Sequence, residues 1–432
     1  MYRAQILRLL LCWVTLLLSA SQAQTFTVIH SFTGNNDGAQ PLASLTIDSG
    51  HLYGTASAGG NRNQQTQCWR VGCGNVFKMT RHNSGWVLNP LYIFLGGSDG
   101  SSPDGPVSFG PSGLLYGSTF AGGTIDSDCT ISYAGCGVVF TLQPPATACT
   151  SASCPWTENV IYQFVDQADG FAPEGSLAFD QAGNIYGATN AGGNDGCSFG
   201  CGTTFQLTRS GSGWAKTTLT QYQFGNGGPI NPDGLIIDPA GNLYGTSFYG
   251  GAEELGSVYE VTRSGSIWQT IVLHSFTDLS TGAYAYGGLV RDSAGNLYGA
   301  TVQGGSGGGG VVFELSPASG GWNYSVIANL VGPGAGPEGS LAIDAAGNLY
   351  GATNGDGVFQ CGNVFKLTPS GGNWTYTDLH DFTCGDDGGN PFGGVSVDTS
   401  GNIFGTTNLY GPSGANCAIG ANQCGVVWEI TP

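Results

Sequence analysis

The chain is short of charge, and shortest of positive charge: 9% of its 432 residues are charged, with 11 Lys and Arg against 29 Asp and Glu. That balance argues against phosphate backbones and anionic lipid surfaces as partners, since both are recognised by basic patches. Histidine is also scarce, at five residues. No Ser-His-Asp arrangement, phosphate-binding loop or metal-ligand histidine pair stands out, so no catalytic signature marks the chain as an enzyme. The one long apolar run, Leu9 to Leu18, is too short to cross a bilayer.

That run has another reading. Arg3 and Arg8 flank its start, and Ser21-Gln22-Ala23 supplies the small residues that a signal peptidase reads. Residues 1–23 are therefore expected to be a signal peptide cleaved before Gln24, giving a secreted or periplasmic protein. The leader removes two arginines and no acid, so the mature chain carries a formal net charge of −20. No lipid anchor is expected, because Cys12 lies mid-leader without a lipoprotein-type cleavage context.

What the chain has in abundance is repetition. The segment Gly241-Asn242-Leu243-Tyr244-Gly245-Thr246 recurs seven times, with its aromatic at Tyr53, Tyr116, Tyr186, Tyr244, Tyr298, Tyr350 and Phe404. The intervals of 52 to 70 residues suit propeller blades better than helical repeats. Each unit reads as four short strands rich in β-branched and aromatic residues, A to D, bounded by Gly, Asn, Asp and Ser. An Asp-x-x-Gly-Asn sequence, as at Asp180, Asp238, Asp292, Asp344 and Asp398, makes the A to B link a tight turn. The C to D link is also short. The B to C and D to A links are long, so long loops gather on one face.

The ends decide the topology. Behind the leader the chain opens with a D strand, Phe26 to Phe32, and it closes with a C strand, Gly425 to Ile430. Pairing the two shuts a ring and removes both open sheet edges. Residues 24–432 are thus expected to form a single all-β domain, a seven-bladed β-propeller of four antiparallel strands per blade, and a monomer. Trp86, Trp156, Trp214, Trp268, Trp322 and Trp374 each begin a D strand and are expected to cover blade surfaces. The glycine that follows the aromatic in each strand B predicts close approach of neighbouring backbones.

Gly295-Asn296-Leu297-Tyr298-Gly299, Gly304-Gly305 downstream, Gly310-Val311-Val312-Phe313-Glu314-Leu315, and Trp268 followed by Leu273-His274-Ser275-Phe276 resemble the GloVer tandem repeat of exported bacterial proteins. The resemblance covers nearly the whole mature chain. It implies a propeller-like fold, often with a C-terminal anchor, and transfers no activity. This chain departs from that pattern in stopping at Pro432 directly after a strand, which puts the anchor the resemblance implies in doubt.

Twelve cysteines remain in the mature chain, an even number suited to an oxidising compartment. Placement pairs Cys68 with Cys73, Cys129 with Cys136, Cys197 with Cys201 and Cys417 with Cys424 in B to C loops, and Cys149 with Cys154 in a C to D loop. Cys361 and Cys384 are left to pair across one hairpin. Zinc would want regular Cys pairs or accompanying histidines, which the spacings do not offer.

Strand A is entered through a Pro-x-Gly pattern whose central position reads Leu42, Asp104, Glu174, Asp233, Tyr286, Glu338 and Phe392 around the ring. Innermost strands line a propeller's channel, so these residues are expected at its mouth on the long-loop face. Asp37, Asp99, Asp169 and Asp387, in Asp-Gly turns upstream, are expected to add negative charge nearby. Clustered oxygens suit a hard cation, which makes Asp104, Glu174, Asp233 and Glu338 the candidate metal ligands and Ca2+ the cofactor they would suit. Arg291 replaces an apolar residue of strand A and is a candidate ligand-orienting group. His30, His274 and His380 share a D-strand position with Tyr92, Tyr162 and Tyr222, which reads as packing.

Two functions follow. One is an exported binding or interaction module holding an extracellular glycan, peptide or cell-surface component on its long-loop face. The other is a metal-assisted propeller hydrolase or lyase, lactonase-like, with its site at the channel mouth.

Overall fold

The computed structural model describes residues 24–60, 68, 71–125, 129, 135–146, 155–193, 196–332, 336–412 and 424–432. The expected signal peptide lies outside them. Seven antiparallel sheets form a ring, the seven-bladed β-propeller predicted from the repeats. Blade 1 runs A to D as Thr46–Asp48, His51–Ala56, Asn75–His82 and Gly85–Ile93; blades 2 to 6 repeat that order. In blade 7, Ser396–Val397, Ile403–Thr407 and Val426–Thr431 are completed by the N-terminal strand Thr25–Ser31. Among the described residues no helix is long and apolar enough to cross a membrane.

Local chemistry explains each joint. In the A to B turn the Asp292 carboxylate accepts the Asn296 backbone N–H at 2.9 Å, the Asn296 amide at 2.8 Å and the Tyr298 hydroxyl at 3.1 Å. Asp180, Asp238 and Asp344 repeat this circuit. Gly295 sits in the left-handed region at φ 95°, which the turn requires.

The strand B glycines answer to a ring rather than to backbone. A Cβ on Gly299 would lie 2.5 Å from the Phe313 ring of strand C, and Gly54, Gly117 and Gly187 face Phe77, Phe140 and Phe205 alike. The tip of the strand C aromatic reaches over the strand B glycine, filling the blade's interior. Backbone does meet backbone at the axis: a Cβ on Gly105 would be 2.6 Å from the Gly175 carbonyl oxygen, and one on Gly287 2.6 Å from the Gly339 carbonyl carbon. Glycine beside six of the seven mouth residues, with Ala43 beside Leu42, lets the inner strands converge.

Blades interlock through the expected tryptophans. Trp156 of blade 2 packs edge-on against Tyr53 of blade 1 at 6.2 Å, and Trp268, Trp322 and Trp374 do the same on Tyr186, Tyr244 and Tyr298. At the seam, Trp86 meets Phe404 of blade 7 at 5.8 Å and donates to the buried Glu429 at 3.1 Å, which also pairs with Arg81 at 3.0 Å.

The disulfides Cys68–Cys73, Cys129–Cys136, Cys197–Cys201 and Cys361–Cys384 are present as predicted, a set suited to an oxidising compartment. Cys424 is also disulfide-bonded; Cys149, Cys154 and Cys417 lie outside the described residues. A cysteine just before strand C serves the next blade as well. The carbonyls of Cys73, Cys136, Cys201 and Cys361 accept the backbone N–H groups of Ser102, Ala172, Asn231 and Asn390. Those four residues hold positive φ between 52° and 55°, each two positions before a mouth residue.

One equivalence differs from the sequence reading. Thr220, not Tyr222, stands opposite strand C where Tyr92, Tyr162, His274 and His380 stand elsewhere. Tyr222 instead takes the buried place of Phe94 and Phe164, its N–H bonded to the Gly202 carbonyl as theirs are to Gly74 and Gly137. Aligning by aromatic type alone shifted blade 3 by two residues.

Candidate functional site at the channel mouth and loop face

The seven mouth positions come together. Leu42, Asp104, Glu174, Asp233, Tyr286, Glu338 and Phe392 line one cavity on the axis, with the glycine collar around it. Its volume is about 80 Å3, which admits a handful of waters at roughly 10–15 Å3 of such volume each. Organic ligands occupy pockets of about 300–1,000 Å3.

Most of the acids are already bonded. Tyr286 reaches across the mouth to donate to Glu174 at 2.6 Å, and Asn190 donates to the other oxygen at 3.0 Å. Asp233 accepts the Gly234 and Gly287 backbone N–H groups at 2.6 and 2.7 Å, joining blades 4 and 5. Asp104 differs: among the described residues its buried Oδ1 has no hydrogen-bond partner. Tyr286 also packs edge-on against Phe392 at 5.9 Å.

Burial sets the electrostatics. It raises Asp104 well above the usual carboxylate range, and the Glu174 charge raises it further. Burial raises Glu174 too, as does Asp233, while the Tyr286 and Asn190 hydrogen bonds pull the other way. Asp233 is raised by burial against its two backbone hydrogen bonds. Glu338 is raised by burial and eased by Asn354. The mouth thus holds protons more firmly than free carboxylates do.

A calcium cage would need six to eight oxygens at about 2.3–2.6 Å. Among the described residues no three His, Cys, Asp or Glu side chains converge as a metal site. Glu174 and Asp233 spend their oxygens on protein donors, so the donor set expected from the sequence does not fit Ca2+.

Arg291 is not brought to the mouth. It is exposed at the far end of strand A, where its guanidinium lies against the Gly295 turn. The Asp-Gly carboxylates also turn away from the cavity. Asp99 accepts the Leu95 and Gly97 N–H groups and the Tyr92 hydroxyl, and Asp37 and Asp387 serve Thr33 with His30 and Thr383 with His380 in the same manner. They cap the D to A loops.

Sequence reasoning missed Asn190 and Asn354, the partners of Glu174 and Glu338. The signal was present: each Asn follows its Glu at the same offset in blades 3 and 6. It also missed a cleft on the long-loop face between blades 3 and 4, of about 610 Å3, lined by Phe199, Phe224, Asn231, Tyr249 and Glu254 among others.

Solved structures similar in fold include the extracellular domain of a candidate hybrid two-component system from B. thetaiotaomicron (10% identity, TM-score 0.51, 94% of this chain and 39% of that one). A candidate 6-phosphogluconolactonase from Bacteroides uniformis (13%, TM-score 0.51, 89% and 100%) and an ulvan lyase bound to a GlcA(1-4)Rha3S unit (9%, TM-score 0.51, 88% and 90%) are comparable. At such identities they speak to the fold alone. No curated protein matches the sequence. The Gloeobacter/Verrucomicrobia repeat model matches residues 129–332 and 269–432, and these matches, over repeats whose glycines, tyrosines and tryptophans build the blades just described, identify the chain as a member of that repeat family.

Proposed function

We propose that this protein is an exported binding module, 24–432 forming its single domain, which holds an extracellular glycan, peptide or surface component on the long-loop face above the acidic mouth. The observation that carries this reading is the contrast between the two cavities. The axial one is small and its acids are mostly committed to protein donors, whereas disulfide-pinned loops around it present exposed Phe199 and Phe359, with exposed Tyr249 at the end of strand B of blade 4. Rigid loops bearing open aromatics recognise ligands with little ordering cost. Export is supported by the disulfides, by the leader expected at residues 1–23, and by the extracellular setting of one structural neighbour.

The competing lactonase-like reading needs a metal or an open acid at the mouth. The test is to assay metal-supplemented mature protein for lactone hydrolysis and glycan cleavage beside a binding screen against soluble glycans and peptides. Saturable binding without turnover is expected; metal-dependent turnover abolished by Asp104→Asn would overturn the proposal.

A further inference from the structure

Resting on that reading, we infer that the cleft between blades 3 and 4 is a subsite for a neutral oligosaccharide. Its volume of about 610 Å3 falls in the range of small-molecule pockets, roughly 300–1,000 Å3. Three rings line it while remaining open to solvent: Phe199 at 47% exposure, Phe224 at 56% and Tyr249 at 45%. Large exposed rings gathered in one concavity mark a binding surface, and their flat faces suit the C–H face of a pyranose.

The rings are held in place. Phe199 rides on the loop closed by Cys197–Cys201, whose Cα atoms are 5.3 Å apart. Tyr249 is propped edge-on by Phe248 at 4.7 Å and Tyr284 at 5.7 Å. From there Phe248 to Tyr286 at 5.7 Å and Tyr286 to Phe392 at 5.9 Å continue the row of rings to the channel mouth. An elongated chain leaving the cleft would follow this row.

The polar group that asks for a ligand is Glu254. Among the described residues its Oε2 has no hydrogen-bond partner, and the residue is held at φ 59°, a conformation that a non-glycine side chain adopts at a cost. The Glu254 carboxylate lines the cleft and is an acceptor for a sugar hydroxyl. Asn231, also at positive φ (52°), stands on the same wall and donates its amide to Asn190. Among the described residues no Lys or Arg lines the cleft, and the chain as a whole is strongly acidic, which disfavours uronates and sulfated sugars.

The test is calorimetric titration of the mature protein with neutral gluco- and manno-hexasaccharides, with an oligogalacturonate and with choline. A neutral hexasaccharide is expected to bind saturably, and Tyr249→Ala and Phe199→Ala are each expected to weaken it by roughly tenfold with an unchanged melting temperature. Glu254→Gln should weaken it less than either ring variant. Binding of only the galacturonate or choline would overturn the inference, as would absence of any neutral-sugar binding. Neutral-sugar binding that all three variants retain would also sink the cleft while leaving the binding-module reading intact; lactone turnover would remove both.

Discussion

Glu174 shows how one side chain can be legible in sequence yet opaque in role. Its position at the mouth follows from the Pro-x-Gly pattern, but its partners Tyr286 and Asn190 come from another blade and another strand. Burial and the neighbouring Asp233 raise its proton affinity. In the pH range between its unfolded and folded values the native state holds more protons than the unfolded chain, so stability is present at low pH and is lost as pH rises through the folded value. The turn aspartates work oppositely. Burial alone would raise Asp180, Asp292 and Asp344, but hydrogen bonds from Asn184, Asn296 and Asn348 and from the strand B tyrosines outweigh it and hold them low. Their stabilisation is lost as pH falls through those lowered values. Stability should therefore peak on the mildly acidic side. Glu174→Gln can keep both hydrogen bonds, accepting from Asn190 and donating to Tyr286, and should raise the melting temperature at about pH 8 more than at about pH 5. Thermal melts across that range check this, and an equal shift at both ends would remove the titration argument.

At the scale of elements, the B to C loop is more than a connection. The cysteine just before strand C presents its carbonyl to the next blade's D to A loop, so its disulfide fixes a point where two blades latch. Sequence placement found Cys68–Cys73, Cys129–Cys136 and Cys197–Cys201 because each closes a loop within a few residues. It could not find the latch, whose two groups lie on different blades. The Cys361–Cys384 bridge, with a sequence separation of 23, closes a much longer loop than Cys197–Cys201, with a separation of 4. Loop-closure entropy makes the first worth roughly 3.4 kcal/mol and the second about 2 kcal/mol. Double Ser replacements measured by urea denaturation should show that order. A larger loss from the short loop would mean that the latch, not the loop entropy, dominates.

For the whole molecule, closure is the decisive event. The strand Thr25–Ser31 pairs with Val426–Thr431, and across the adjoining seam Trp86 and Arg81 converge on Glu429. A chain beginning at Thr33 would leave the edge of Val426–Thr431 open and uncover Trp428, which is fully buried in the ring. Open hydrophobic edges pair with other chains. This truncation should give oligomers on light scattering and a broadened or absent cooperative unfolding transition, whereas a monomer with an unaltered transition would show that the ring does not depend on its clasp.

The sequence by itself determined the blade, its number and its closure, because those depend on short-range chemistry repeated from blade to blade: an Asp-capped turn, a glycine under an aromatic, a tryptophan at a fixed offset, and unequal ends. Tertiary structure alone decided what the mouth residues do. Whether an acid on the axis is open or already bonded depends on which side chains reach it from blades distant along the chain, and Tyr286 reaching Glu174 has no local trace. The same holds for the cleft: Phe199, Phe224, Tyr249 and Glu254 carry no shared spacing, and only the packing of blade 4 beside blade 3 makes them walls of one cavity.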